Sequence, residues 1–201
     1  MRRTRLLLAG LTGFIACLSL PAQAQSPNLA GATYVSAEVG TGKVGLTCPA
    51  GVGCSRVDAS GILRAGHRFD SQWAFEVIYS HVAADWGVLS SNYSAEFTGF
   101  GVGAAYHLPV SDSVGVVLRL GASSNELKFQ PASSPGKPTP GTTSTSTVKP
   151  YAGVGLSWQF ARHWSTSVNL DWTRADLREP PSADRQGVSV RTIGAGIAFN
   201  F

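Results

Sequence analysis

The sequence predicts an all-β fold: an eight-stranded antiparallel up-and-down β-barrel that crosses a membrane and is preceded by a cleaved export leader. Period-two alternation recurs eight times, in segments near the roughly 9 to 11 residues a tilted strand needs to cross a bilayer. The connections between these segments alternate between short and long, and aromatic residues gather beside the short ones and at the last residue, Phe201.

The leader comes first. Arg2, Arg3 and Arg5 precede an apolar stretch from Leu6 to Leu20 and then Pro21-Ala22-Gln23-Ala24, the order of a charged n-region, an h-region and an A-x-A cleavage site. Residues 1–24 are expected to be a secretory signal and 25–201 one barrel domain. Phe14-Ile15-Ala16-Cys17 is a distant match to a lipoprotein processing site, but Phe14 suits it poorly. Of the 201 residues 43% are hydrophobic and 14% charged, which excludes an extended disordered chain. Beyond the leader no run reaches the roughly 20 apolar residues of a spanning helix. The formal charge of +4 comes mostly from the leader, since without its three arginines 13 basic residues face 12 acidic ones. No nucleic-acid partner is expected of so balanced a chain.

Cys48 and Cys54, in Cys48-Pro49-Ala50-Gly51-Val52-Gly53-Cys54, are expected to form one disulfide, because an exported chain meets an oxidising compartment. A metal site would need further ligands and none stands close in sequence, so no metal or other cofactor is expected.

The alternating segments are 32–43, 60–69, 73–82, 95–108, 114–124, 148–160, 164–174 and 187–201. Short connections fall at Asp70-Ser71-Gln72, Pro109-Val110-Ser111-Asp112-Ser113 and Ala161-Arg162-His163, and long ones over 44–59, 83–94, 125–147 and 175–186. Short periplasmic turns and longer outer loops are the asymmetry of an outer-membrane barrel. In the last segment Ile193, Ala195, Ile197, Phe199 and Phe201 share one face, with Thr192, Gly194, Gly196, Ala198 and Asn200 on the other. The sixth sets Ala152, Val154, Leu156, Trp158 and Phe160 against Tyr151, Gly153, Gly155, Ser157 and Gln159, and the third sets Phe75, Val77 and Tyr79 against Glu76, Ile78 and Ser80. A soluble sandwich or lipocalin-like barrel alternates too, so parity alone does not choose. Glycine-rich polar faces, apolar faces that end in aromatics and a C-terminal Phe favour the membrane version. Phe69, Trp73, Tyr106, Trp158, Phe160, Trp164, Phe199 and Phe201 then make a girdle at the periplasmic interface.

Gly66-His67-Arg68-Phe69, Trp73-Ala74-Phe75-Glu76-Val77, Lys149-Pro150-Tyr151-Ala152-Gly153-Val154-Gly155 and Gly194-Ala195-Gly196-Ile197-Ala198-Phe199-Asn200-Phe201, in that order, resemble the OmpA-like and opacity-type eight-stranded outer-membrane barrels. The resemblance implies insertion by the barrel-assembly machinery, which reads the C-terminal strand ending in Phe201. It fixes no function, since members include structural proteins, adhesins and small or gated pores. The chain stops at the last strand, so tethering through a periplasmic peptidoglycan-binding domain is not expected.

By parity the inward faces carry Glu38, Arg64, Arg68, Glu76, Arg119 and Asp171, with His107, Gln159 and Asn169 alongside. An eight-stranded barrel is just wide enough for its side chains to fill it, and unpaired ions there are costly. These three acids and three bases are therefore expected to pair as a salt-bridge plug. Glu76, Arg119 and Asp171 also sit where the resembling barrels place interior charges. A narrow pore, gated by rearrangement of the pairs, is the alternative.

His163-Trp164-Ser165 resembles the His-x-Ser of outer-membrane lipid A deacylases, in which Ser attacks an ester with His as its base. Thr166 stands where an Asn usually follows, the pair lies beside a periplasmic turn, and Glu179 is in an outer loop. No enzyme is expected. Residues 130–147 are rich in Pro, Gly, Ser and Thr and read as a solvated outer loop, with the Cys48–Cys54 loop as the more constrained one. Arg191 lies on the apolar parity near the outer headgroups, where a lipopolysaccharide phosphate and unspecific snorkelling are equal alternatives. The sequence thus points to a monomer in the outer membrane of a Gram-negative bacterium. Its expected partners are membrane lipids, lipopolysaccharide and a host or surface ligand at the loops, and its expected role is envelope integrity and surface interaction.

Overall fold

The computed structural model describes residues 30–45, 57–88, 91–130, 143–178 and 185–201. The leader at 1–24, Cys48 and Cys54 with their expected disulfide, Glu179 and most of the Pro/Ser/Thr-rich stretch lie outside the described residues.

Among the described residues the chain forms eight strands: β1 (Thr33–Gly45), β2 (Val57–Arg68), β3 (Trp73–Val88), β4 (Ser91–Pro109), β5 (Val114–Gln130), β6 (Thr143–Gln159), β7 (Trp164–Arg178) and β8 (Arg185–Asn200). Each pairs antiparallel with the next, and β1 closes on β8 from Tyr34↔Asn200 to Gly45↔Ser189. Closure leaves no strand edge, which is what backbone N–H and C=O groups require inside hydrocarbon.

The register fixes the shape. Thr33 faces His67, and the line runs on through Phe75, Ala104, Leu120, Ala152, Trp172 and Arg191 to Lys43. One circuit thus climbs ten residues along β1, from Thr33 to Lys43. With strands about 4.8 Å apart and a rise of about 3.3 Å per residue, that stagger tilts the strands roughly 40° from the barrel axis.

The three short turns and the C-terminus share one end, which is the periplasmic one. In the first turn the Asp70 carboxylate accepts the N–H groups of Gln72 at 2.7 Å and Trp73 at 2.6 Å. In the second, Ser111 Oγ accepts the Val114 N–H at 3.1 Å. Gly31, at φ 79°, lies in the left-handed region that favours glycine and donates its N–H to the Arg68 carbonyl at 2.8 Å, fastening the entry to β1. Phe201 donates its N–H to the Thr33 carbonyl at 2.9 Å. Around this end Trp73 meets Tyr106 at 4.7 Å, Trp164 meets Phe199 at 4.9 Å and Phe199 meets Phe201 at 5.0 Å between ring centroids.

The faces are distributed as hydrocarbon demands. Val39 and Leu120 point outward, 77% and 70% exposed, while Arg64 and Glu76 point inward at 1% each. A soluble barrel has the opposite arrangement, so the lipocalin-like alternative falls.

The outer ends of the strands differ from expectation. β3 and β4 run through most of the loop expected at 83–94 and leave only residues 89–90 between them, with Val88 paired to Ser91. β5 and β6 likewise continue to the Phe129↔Thr143 pair, inside the loop expected at 125–147. The strands bounding 44–59 and 175–186 also lengthen, to Gly45, Val57, Arg178 and Arg185. Apolar alternation ends where the wall leaves hydrocarbon, whereas the backbone ladder goes on beyond it.

Candidate functional site

The candidate site is the barrel interior. Inward parity selects its side chains, and the ten-residue stagger brings together groups far apart in sequence. Arg64 on β2 donates from Nη1 to Glu38 on β1 and from Nη2 to Asp171 Oδ2 on β7 at 2.7 Å. Tyr151 on β6 donates its hydroxyl to Asp171 Oδ1 at 2.6 Å. Asn169 on β7 donates to Glu38 Oε1 at 2.7 Å and accepts from Arg119 Nη1 on β5 at 2.8 Å. Arg119 Nε lies 3.1 Å from Glu76 Oε2, and Glu76 on β3 also accepts the Tyr34 hydroxyl. The result is one unbroken chain across the bore, Tyr34–Glu76–Arg119–Asn169–Glu38–Arg64–Asp171–Tyr151.

The inward glycines provide the space for this layer. A Cβ on Gly66 would enter the Tyr34 ring, and one on Gly155 would strike Asn169 Oδ1 and sit 3.1 Å from Arg119 Nη1. Large ionic side chains therefore cross a narrow bore because their neighbours have none.

Of the six charged residues expected to pair, five do so. Arg68 differs. It forms no ion pair among the described residues; its guanidinium carbon lies 5.6 Å from the Tyr34 ring centroid and its Nε lacks a hydrogen-bond partner. The reason is height, since Arg68 stands at the periplasmic end of β2, below the carboxylates, while Arg64, four residues and two pleat repeats higher, takes two of them. His107 and Gln159 lie at the same low level, and only Asn169 of the three expected companions joins the network. The hydroxyls of Tyr34 and Tyr151 were not anticipated as members; their signal was inward parity on segments that also carry glycine.

Above this layer, Asn125 Nδ2 donates to Thr173 Oγ1 at 2.8 Å and to the Arg174 carbonyl at 2.6 Å. Val44, Val82, Phe97, Leu127, Val188 and Val190, each 4% exposed or less, then fill the outer part of the bore with apolar side chains. Between the two layers a void of about 20 Å³ touches Phe97, Tyr151, Asp171 and Thr173, enough for a single water. Below the ionic layer a cavity of about 360 Å³ lies among the periplasmic turns.

On the outer surface Arg191 of β8 faces Trp172 of β7 on one side and Lys43 of β1 on the other. Arg174 of β7 faces Ser189, two residues from Arg191. All three cations are exposed. The tilt carries Arg191 roughly 20 Å above Phe199, the level of the outer headgroups. Like charges directly opposite disfavour pairing, so a counter-anion would stabilise this patch.

The His-x-Ser residues go separate ways. His163 is exposed, its Nδ1 bonded to the Asn200 carbonyl at 2.8 Å and its ring stacked on Phe199 at 5.7 Å. Ser165 faces the periplasmic cavity, and no hydrogen bond joins the two among the described residues.

A search of curated protein sequences finds no match. Solved structures of the same fold include the Neisserial surface protein NspA (17% identity, 85% of this chain and 99% of that one, TM-score 0.61). Ail, the attachment invasion locus protein of Yersinia pestis, superposes over 86% of this chain and 99% of its own at 16% identity and TM-score 0.55. It has also been solved with the heparin analogue sucrose octasulfate, at 16% identity, the same coverage of both chains and TM-score 0.56. OprG of Pseudomonas aeruginosa covers 88% of this chain and 99% of that one at 15% identity and TM-score 0.53. The family of the outer membrane protein beta-barrel domain matches residues 11–201. Closed eight-stranded pairing, an apolar wall around a charged interior and this match agree, and the chain belongs to the outer membrane protein beta-barrel domain family, whose place is the bacterial outer membrane.

Proposed function

We propose that the protein is a closed, monomeric barrel that reinforces the outer membrane and meets surface ligands with its outer loops, without conducting solutes and without catalysis. The observation that carries this reading is the doubly filled bore, with an ionic layer from Tyr34 to Tyr151 below an apolar layer around Phe97 and Leu127. A bare apolar constriction already resists water and ions by dewetting. The wall supplies the anchoring. Lys43, Arg174 and Arg191 offer guanidinium and ammonium donors to lipopolysaccharide phosphates, and Phe201 ends the strand read by the assembly machinery. An adhesin-like role at the outer rim draws support from the fold shared with Ail, a protein named for attachment.

Cells lacking the protein are expected to become sensitive to bile salts and to adhere less to coated surfaces, with unchanged uptake of small hydrophilic solutes. Slower uptake with an intact envelope would instead establish the porin reading. That second reading has one observation in its favour, since the periplasmic cavity reaches Arg119 in the ionic layer.

A further inference from the structure

The periplasmic cavity is unlike the rest of the interior. Side chains from seven strands and from the first and second turns bound its 360 Å³, a volume at the small end of ligand pockets. Its polar lining is rich in hydroxyls, from Ser36, Ser71, Ser111, Ser157, Ser165 and Ser167 among others. Arg68 and Arg119 are its cations and Asp112, exposed in the second turn, its only carboxylate. Arg119 is committed to Glu76 and Asn169. Arg68 is not: among the described residues it makes no ion pair and lies over the face of Tyr34, which in turn meets His107 edge-on at 6.1 Å. Two nitrogens here, Arg68 Nε and His107 Nε2, are shielded from solvent without a hydrogen-bond partner.

A cation confined in a narrow barrel without a counter-ion is costly, and the unmatched Arg68 Nε–H adds to the cost. Every carboxylate of the ionic layer is already engaged by Arg64, Arg119, Asn169 or a tyrosine hydroxyl. Among the described residues no ion pair holds Arg68, and an anion entering the cup would supply the counter-charge that the ionic layer does not. Guanidinium with surrounding hydroxyls is the donor set that suits a phosphate or carboxylate group.

We propose that this periplasmic cup is a binding site for a small solute bearing an oxyanion group, phosphate or carboxylate, held by Arg68 with His107 and the serine hydroxyls around it. The inference rests on the barrel reading only for the compartment that the cup faces. Binding and conductance are separate readouts, so either can fail alone.

Histidine ring resonances provide the test. The chain has four histidines, His67, His81, His107 and His163, and only His107 lines the cup. Protein purified from outer membranes into a sugar-headgroup detergent, labelled at histidine and held at fixed pH, is titrated with inorganic phosphate and, separately, with acetate. Saturable shifts confined to His107 are expected for at least one anion, and which anion gives them identifies the group. Arg68→Gln should weaken that binding at least tenfold. Arg162→Gln, which alters a turn residue outside the cup, should leave it unchanged. Arg68 holds no ion pair among the described residues, so its variant is expected to fold, and unchanged aromatic shifts of the other three histidines check this. No saturable shift with either anion, or equal affinity in Arg68→Gln, would overturn the site.

Discussion

Arg64→Met tests the ionic layer most sharply. Arg64 is 1% exposed and donates to both Glu38 and Asp171. Methionine fills much of the same length but leaves two carboxylates without their cation. Asn169 and Tyr151 still donate one hydrogen bond to each, which offsets only part of the loss. Breaking a buried pair from one side costs about 3–5 kcal/mol, so the unfolding equilibrium should move by roughly two to three and a half orders of magnitude. The triple variant Glu38→Gln/Arg64→Met/Asp171→Asn removes all three charges and keeps acceptors for Asn169 and Tyr151. It should recover at least half of that loss, because replacing a whole buried ionic group is commonly near neutral. Reversible urea unfolding in phospholipid vesicles, followed by fluorescence of the five tryptophans, measures both. An Arg64→Met protein within 1 kcal/mol of wild type, or a triple variant less stable than the single one, would refute the reasoning.

Other expectations use the same assay or close relatives of it. Gly66→Val places its side chain in the Tyr34 ring, displaces the hydroxyl from Glu76, and should cost about 1–3 kcal/mol through overpacking. Asp70 receives the N–H groups of Trp73 and Gln72, which hold its carboxyl below the usual carboxylate range. The charged form is favoured in the fold, so its contribution is complete above the ordinary value of about 4 and is lost as pH falls through the lowered one. Asp70→Asn should therefore remove one component of acid destabilisation below about pH 4, seen as a flatter dependence of the unfolding midpoint there. Lys43→Ala/Arg191→Ala should lower heat stability in vesicles containing lipopolysaccharide and leave it unchanged in phospholipid alone; equal behaviour in both would assign these residues to snorkelling.

Much of this architecture was legible because a strand exposes alternate residues to opposite faces. Parity put Glu38, Arg64, Glu76, Arg119 and Asp171 on one face and Phe75, Leu156 and Ile193 on the other, the glycine-rich polar faces and terminal aromatics marked the first as inward, and the tight turns after Phe69 and Phe160 fixed the periplasmic ends. What parity does not carry is height. Whether Arg64 or Arg68 meets Glu38 depends on the β1–β2 register, which sets Glu38 opposite Ile62, and whether it also reaches Asp171 depends on the ten-residue stagger from Thr33 to Lys43; no local pattern states either. The polar upper reaches of β3 through β6 escaped for a related reason, since Ser, Thr, Asn and Glu alternate with little contrast once the wall has left hydrocarbon. The apolar layer of Val82, Phe97, Leu127 and Val190 was hidden by the rule that revealed the rest, because it places apolar side chains on the inward parity.

The filled bore is most directly tested by single-channel recording in planar bilayers. Protein purified from outer membranes is compared with Arg119→Ala, which opens the ionic layer, and with Arg119→Ala/Phe97→Ala/Leu127→Ala, which also thins the apolar one. Silence from the wild type and from Arg119→Ala, with discrete openings only in the triple variant, is the expected result. Openings in the wild type that change with Arg119→Ala would contradict a closed barrel and make the ionic layer a gate.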